Sequence, residues 1–265
     1  MKKRVISAVV LLVVTFVCVL LSTVSRVVYF GIIALLCAYE WGKNLRVRDV
    51  HCADWVLYLM VVGLTTVTVL NGGAFWYAAV LCASVMLALA AGVLQKRVSA
   101  FGAMFTASGV AYLGVLFGAI LAISVSPIWL ASFALGCIST WVCDSFALFG
   151  GSRFGKHKLA PRVSPNKTWE GSVCGALSAV VVGVILCFVP WYDGVAWWVV
   201  ILAALVSSTF GQMGDLVESL FKRMIGVKDS SNLIPGHGGV LDRVDSLLFS
   251  IPTAYFFLHV AGLGV

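Results

Sequence analysis

Long apolar runs recur along this chain, and they constrain its fold more than any other feature. Most of them are close to 20 residues long, and short polar stretches separate them. A helix needs roughly 20 apolar residues to cross the hydrocarbon core of a bilayer, which is about 30 Å thick. The sequence therefore predicts an all-α polytopic membrane protein with nine transmembrane helices. The predicted spans are 5–22, 27–41, 55–71, 74–94, 104–124, 127–149, 171–190, 195–213 and 246–264.

The composition excludes an ordinary soluble domain. Mean hydropathy is +1.04 and only 11% of the residues are charged, whereas about 25% are charged in a typical soluble domain. A chain of 265 residues accommodates one bundle of short-looped helices and no separate soluble domain. We expect a single membrane-embedded domain over 1–265, in which 1–125 is mainly scaffold. The half 126–265 carries two long polar loops, 150–170 and 214–245.

Almost all of the basic residues fall on one side of the predicted bundle. With a cytoplasmic N-terminus, 17 of the 18 lysines and arginines fall in cytoplasmic segments and only Arg26 lies outside. The positive-inside rule therefore predicts a cytoplasmic N-terminus and an external C-terminus in the cell (inner) membrane. The net charge of +7 then lies on the cytoplasmic face, where it suits anionic lipids and phosphates.

The first apolar run follows Met1-Lys2-Lys3-Arg4 and is longer than the apolar part of a signal peptide. No cleavage site follows it, so we expect a retained first helix. Eight cysteines lie mostly within apolar segments and form no CxxC pair. They are interpreted as small hydrophobic residues, and neither a disulfide framework nor a zinc site is indicated.

One polar stretch, 219–245, is unusual in so apolar a chain. It reads SLFKRMIGVKDSSNLIPGHGGVLDRVD and joins cations, a glycine-rich turn and closely spaced carboxylates. A solvated cytoplasmic loop that only orients the protein is one interpretation. Orientation, however, requires neither the glycines nor the carboxylates, because acidic residues contribute little to the positive-inside rule.

A second polar stretch lies around 144–171. Asp144 falls within a predicted span, where an ionisable residue suggests function, although it could also reach the interface or pair with a basic residue. The run from Gly150 to Lys156 imitates a P-loop. His157, however, replaces the Ser or Thr that would hold magnesium, and no strand precedes the run, so a P-loop fold is rejected. Small residues with Lys156 still suit a phosphate.

The segment 164–171 reads SPNKTWEG. We expect Thr168 to cap the following helix and Gly171 to allow close packing. Lys167 is interpreted as a phosphate ligand, with a lysine that only orients the chain as the alternative. If the eighth helix continues beyond its span, Asp215 and Lys222 share one face with Glu218.

The order of residues over 219–245, together with SPxKTxEG, resembles the signature of the phosphatidate cytidylyltransferases. The resemblance implies transfer of a cytidylyl group from CTP to phosphatidate, which gives CDP-diacylglycerol and pyrophosphate. It implies a catalytic half at 126–265 and Mg²⁺ as cofactor, with one metal ion or two left open. The implied metal ligands are Asp215 and Asp242, followed by Asp144 and Asp245.

The remaining residues that the resemblance and the charge pattern assign are cations and phosphate-binding groups. The predicted catalytic residues are Lys167, Lys222, Arg223, Lys228, His237 and Arg243. The predicted substrate-binding residues are Ser164, Lys156, Gly238 and Gly239. No general base is assigned, because a phosphate monoester is already largely ionised near neutral pH.

The expected partners are CTP, phosphatidate from the inner leaflet and membrane lipid, with no nucleic acid. Whether the protein acts as a homodimer is left open. Two alternatives remain from the residues themselves. A transporter of an anionic solute would share the intramembrane charge and basic loops, but no internal repeat is detected. A CTP-dependent polyprenol or dolichol kinase would share the nucleotide and the metal.

Overall fold

The computed structural model describes residues 2–234, 236 and 238–264. Within them the chain is mostly helical, as the apolar runs predict. The helices are α1 (Lys2–Leu21), α2 (Thr23–Arg46), α3 (Asp54–Val69), α4 (Ala74–Leu94), α5 (Ala100–Gly109), α6 (Val115–Ser124), α7 (Trp129–Phe154), α8 (Trp169–Leu186), α9 (Trp197–Ile225) and α10 (Leu241–Val260). A π-helical turn, Val110–Gly114, joins α5 to α6. A short 3₁₀ turn, Pro190–Tyr192, precedes α9.

Each predicted span coincides with a helix once α5, the π-helical turn and α6 are taken as one rod. Six helices of the described chain are long and apolar enough to cross a membrane, and α3 is a shorter apolar helix. A multi-pass architecture follows from these six. The count of nine crossings and the orientation of the termini remain predictions.

The all-α class agrees with the structure, which adds one short element that the sequence did not predict. In it, β1 (Lys158–Ala160) pairs with β2 (Ser164–Thr168) in an antiparallel hairpin. The second loop is also shorter than expected, since α9 continues to Ile225 and α10 begins at Leu241. The run LVESLFKRM after Asp215 consists mainly of good helix formers, so the helix continues where charge suggested a loop.

The chain forms two compact units. The first comprises Met1–Val125 and Met224–Asp242, and the second comprises Ser126–Arg223 and Arg243–Val265. The expectation of a single membrane-embedded domain stays a prediction. The segment 224–242, which the sequence assigns to the catalytic half, packs with the scaffold helices of the first unit.

The second unit has a core made by four helices. Buried apolar residues of α7, α8, α9 and α10 meet there, including Leu135, Val182, Ala203 and Leu258. Tyr192 is buried beside them and donates its hydroxyl to the Ala131 carbonyl at 2.8 Å. Helix α7 packs extensively on α8, and this pair supports the polar residues described below.

Arg26 is a buried cation of the first unit. It is 5% exposed, and its guanidinium donates to the Ser124 carbonyl at 2.7 Å and the Val19 carbonyl at 3.1 Å. A third bond reaches the Thr23 hydroxyl at 3.2 Å. Both carbonyls lie near the C-terminal ends of helices, where backbone oxygens carry partial negative charge. Arg26 therefore donates hydrogen bonds to backbone carbonyls at the C-terminal ends of α1 and α6 that lack partners within their helices.

The eight cysteines are all free, which agrees with their interpretation as small hydrophobic residues. Burial raises the pKa of the Cys52 thiol, in the connection before α3, to about 11. This thiol therefore stays protonated near neutral pH and is a poor nucleophile or metal ligand.

Candidate active site

The second unit brings three predicted site residues together. Lys167 Nζ lies 2.6 Å from Asp215 Oδ2, and the two side chains are 27% and 33% exposed. Asp144 lies within electrostatic range of both Lys167 and Asp215. Two carboxylates and one ammonium group, contributed by α7, β2 and α9, therefore form one cluster. We call it the Asp144–Lys167–Asp215 cluster.

The fold of the hairpin and α8 explains where Lys167 stands. Lys167 is the penultimate residue of β2, and the next residue, Thr168, caps α8. The Thr168 hydroxyl accepts the Gly171 N–H at 3.2 Å, which confirms the predicted cap. A Cβ on Gly171 would stand 2.6 Å from the Ala147 carbonyl oxygen, so glycine here permits the close packing of α8 on α7 that was expected. Because β2 directly precedes α8 and Asp144 lies on α7, this packing places β2 close to Asp144.

Glu170, in the first turn of α8, holds the connection that leaves α7. Its carboxylate accepts the backbone N–H groups of Lys156 at 3.1 Å and His157 at 3.2 Å. The His157 ring nitrogen Nδ1 lies 2.6 Å from the same carboxylate. The Lys156 side chain is exposed, and Ser164 lies half-buried at the start of β2. Glu170 therefore fixes the backbone from which Lys156 projects.

The end of α9 presents two further predicted residues. Lys222 pairs with Glu218 at 2.5 Å, one turn apart on the helix, and the Glu218 side chain has no solvent exposure. Arg223 donates its Nε to the Val163 carbonyl at 3.1 Å, which links the end of α9 to the hairpin. Helix α9 continues through Asp215, Glu218 and Lys222, so the condition under which these residues share one face is met.

The glycine-rich loop belongs to the first unit. We call residues 226–240 the signature loop. Asp242, in the first turn of α10, folds back onto it and accepts the backbone N–H groups of Ser230 at 3.0 Å and Gly239 at 2.8 Å. The Ser230 hydroxyl donates to the same carboxylate at 2.9 Å. Asp242, predicted as a metal ligand, thus organises the loop.

A second carboxylate, Glu40 of α2, contacts the same loop from a distant part of the chain. Its Oε1 accepts the Ser231 hydroxyl at 2.5 Å and the Val240 N–H at 2.8 Å. Its Oε2 accepts the Leu241 N–H at 2.7 Å. Glu40 has no solvent exposure. The carboxylate therefore satisfies backbone donors at the start of α10, which no helix carbonyl can reach.

Two glycines of the signature loop have separate structural roles. Gly238 has φ of +83°, a conformation that other residues rarely adopt. A Cβ on Gly239 would stand 2.8 Å from Glu40 Oε1 and 2.8 Å from the Ser230 Cβ, so its missing side chain leaves space for these groups. The role of Gly238 and Gly239 in substrate binding remains a prediction.

The other predicted residues occupy different places. Lys228 is exposed in the signature loop, and Arg243 is exposed on α10. Asp245 is 7% exposed, and its Oδ1 accepts the Ser246 N–H at 2.7 Å. His237 lies outside the described residues, so its predicted catalytic role is untested.

The donor set suits a hard divalent cation that also binds substrate phosphates. Within the described residues no three His, Cys, Asp or Glu side chains form a ready metal site. Mg²⁺ does not require one, because it commonly takes one or two carboxylates, phosphate oxygens and water. Asp144 and Asp215 provide two carboxylates beside one lysine, and this arrangement fits that ligand set.

Sequence reasoning missed the role of Glu40. Its position near the end of an apolar run was the available signal, because a carboxylate there needs compensating partners. The donors that compensate it are separated from it by 191 to 201 residues, and no local pattern connects them.

Comparisons with known proteins agree on one family. The sequence profile of the Cytidylyltransferase family matches residues 2–261. A Staphylococcus aureus protein named phosphatidate cytidylyltransferase is 34% identical over 258 residues, which cover 95% of this chain and 96% of that protein. Proteins of the same name from Staphylococcus haemolyticus and Bacillus subtilis are each 41% identical, over 161 and 177 residues. These alignments cover 60% and 66% of this chain and 61% and 65% of the relatives.

Proposed function

Since the chain belongs to the cytidylyltransferase family, we propose that it transfers a cytidylyl group from CTP to phosphatidate. The products are CDP-diacylglycerol and pyrophosphate. The observation that carries this proposal is Lys167 of the SPxKTxEG element, which is paired with Asp215 and adjacent to Asp144. A cation and two carboxylates together suit a metal-bound triphosphate.

The reaction joins two anions. A phosphate oxygen of phosphatidate attacks the α-phosphorus of CTP, and the bond from that phosphorus to the bridging oxygen of the β-phosphate breaks. Pyrophosphate leaves with the electron pair of that bond. The attacking phosphate is largely ionised near neutral pH, because its second pKa is about 6. No side chain therefore needs to remove a proton, and the barrier depends on positioning and charge neutralisation.

Mg²⁺ is the proposed cofactor, and Asp144 and Asp215 are the residues that would hold it. When bound, a divalent cation neutralises part of the triphosphate charge and stabilises the charge that develops on pyrophosphate. Asp242 and Asp245 remain further ligand candidates, and the number of metal ions is left open.

The cations of the chain would neutralise the rest of the charge. Lys167 exchanges its ion pair with Asp215 for a phosphate oxygen as substrate binds. Lys222 is held in place by Glu218 and Arg223 by the Val163 carbonyl, so both are oriented before substrate arrives. Lys156 and Lys228 are exposed and supply mobile positive charge that attracts the nucleotide.

The membrane delivers the lipid substrate. Six helices suited to crossing a bilayer support a multi-pass protein, and we propose nine crossings with a cytoplasmic N-terminus and an external C-terminus. In this arrangement the active site faces the cytoplasm at the cell membrane. Phosphatidate then reaches it from the inner leaflet while its acyl chains stay in the bilayer.

The test is an assay of purified full-length protein with labelled CTP, phosphatidate and Mg²⁺. We expect a labelled liponucleotide and an equal amount of pyrophosphate. A phosphorylated polyprenol or dolichol, formed when the alcohol is supplied, would instead identify a lipid kinase. Absence of turnover on either lipid, together with uptake of an anionic solute into vesicles, would identify a transporter.

A further inference from the structure

We propose that Glu40 is a positioning residue that, together with Arg48, holds the signature loop in the conformation that binds the CTP triphosphate. The proposal rests on the proposed function, because it concerns how the loop serves that substrate. In this proposal a scaffold helix, α2, affects nucleotide binding by positioning the loop. Glu40 itself is buried and does not contact substrate.

Glu40 fixes the C-terminal end of the loop. Three donors, from Ser231, Val240 and Leu241, converge on its two oxygens at 2.5 to 2.8 Å. Hydrogen bonds to an ionised acceptor are about twice as strong as those between neutral groups. A negative charge at the first N–H groups of a helix is also favoured by the helix dipole. The carboxylate thus fixes the point at which the loop becomes α10.

Arg48 fixes the N-terminal end of the loop. Its Nε donates to the Ile225 carbonyl at 2.7 Å, and Ile225 is the last residue of α9. A cation is favoured at the C-terminal end of a helix for the same reason that an anion is favoured at the other end. Glu40 and Arg48 come from α2 and the residues directly after it. One short segment of the first unit therefore holds both ends of the signature loop.

Of the apolar residues described in the loop, only Val240 is buried, and it lies directly before α10. Lys228, Asp229, Asn232 and Leu233 are all exposed. Loops with few buried apolar contacts open easily, so specific polar anchors decide the conformation. Asp242 organises the interior of the loop, and Glu40 and Arg48 attach the loop to α2. A buried carboxylate in an apolar helix is costly, and the proposed role explains its presence.

The experiment compares Glu40→Gln with Asn44→Ala in the full-length protein. Gln keeps the shape of Glu40 and one acceptor oxygen, but its amino group faces a donor N–H. Asn44 is a buried polar residue of α2, one turn further along and 4% exposed, so Asn44→Ala controls for the loss of a buried polar group. Hydrogen–deuterium exchange over 228–241 and kcat/KM for CTP and for phosphatidate are measured for each variant.

We expect Glu40→Gln to accelerate exchange across 228–241 and to lower kcat/KM for CTP by at least about tenfold. KM for phosphatidate should stay within about twofold, because the proposal assigns only the nucleotide to this loop. Asn44→Ala should change neither quantity. Ser231→Ala removes one donor and should give an intermediate effect, and it tests the same contact if Glu40→Gln does not fold.

Several outcomes would overturn the proposal. One is normal exchange and a normal kcat/KM in Glu40→Gln. Another is faster exchange with no change in kcat/KM, which would make the contact structural only. An equal loss of kcat/KM in Asn44→Ala would also overturn the proposal, because any buried polar group of α2 would then have the same effect. If the parent protein forms no liponucleotide, the proposed function fails by itself, and the exchange comparison still decides whether Glu40 and Ser231 hold the loop.

Discussion

Two polar segments of this protein are each held by a glutamate, and they differ in where that glutamate comes from. In the second unit, Glu170 accepts N–H groups from residues only 13 and 14 positions away, and its side chain is 26% exposed. In the first unit, Glu40 accepts from groups about 200 positions away and is fully buried. Water can replace the partners of the exposed carboxylate but not those of the buried one.

The difference indicates that similar hydrogen bonds serve two purposes. Glu170, the local glutamate, shapes the turn that contains Lys156 and His157. The residues around this turn could form it again if the hydrogen bonds to Glu170 were lost. The distant glutamate connects the signature loop to a helix that carries none of the predicted catalytic residues. The scaffold half therefore holds the signature loop through specific hydrogen bonds, although the sequence assigns it packing alone.

Metal removal should cause the largest loss of turnover. It should leave the structure of the signature loop unchanged. A strong chelator should abolish turnover, and added Mg²⁺ should restore it, because the triphosphate needs a hard cation. The signature loop should keep its hydrogen exchange pattern, since its anchors are protein groups. Turnover that survives chelation would remove Asp144 and Asp215 as metal ligands.

Replacement of single carboxylates should distinguish a ligand from an anchor. Asp215→Asn should lower kcat by at least about 10²-fold without changing stability, because a charged ligand and the partner of Lys167 are lost. Asp242→Asn should cause a similar loss and should also loosen the signature loop, since the amide presents donors to the N–H groups of Ser230 and Gly239.

Asp193→Asn is the matched control for both variants, because Asp193 is an exposed carboxylate outside both polar segments. It should leave kcat close to the parent value. A kcat within a few-fold of the parent for Asp242→Asn would restrict that residue to a structural role.

The two glutamates should differ in their effect on stability. Glu40→Ala leaves three buried donors without an acceptor, at roughly 1–3 kcal/mol each, so unfolding should require several kcal/mol less. Glu170→Ala should cause a smaller loss, because water reaches its partners. Thermal unfolding in detergent measures both. Equal losses would contradict the distinction between a buried and an exposed anchor.

The smallest expected effect concerns the helix cap beside Lys167. Thr168→Val removes the side-chain acceptor for the Gly171 N–H and should lower stability by about 1 kcal/mol. Thr209→Val, at an exposed position inside α9 where the hydroxyl only contacts the Leu205 carbonyl, should be close to neutral. A Thr168→Val protein as stable as the control would show that β2, and not the cap, sets the start of α8.

Local features of this fold could be predicted from the sequence, and long-range ones could not. The apolar runs located the helices of the described residues, and the Thr168 cap and the Gly171 approach followed from residues next to one another. The family resemblance is confirmed by the match over residues 2–261. The proximity of Lys167 to Asp215 was not predicted, because it depends on a hairpin whose strands are only three and five residues long.

The hydrogen bonds of Arg26 change what its charge contributes to the difference in exposed charge between the two predicted sides of the membrane. Arg26 is the one basic residue on the predicted external side, and as a bare count it weakens the charge asymmetry. Its guanidinium is nevertheless occupied by carbonyls at the ends of two helices. Once those helices associate, this cation is neither hydrated nor available to lipid headgroups. In the folded chain, the basic charge that water and lipid headgroups can reach is therefore more one-sided than a count of eighteen equal charges would suggest.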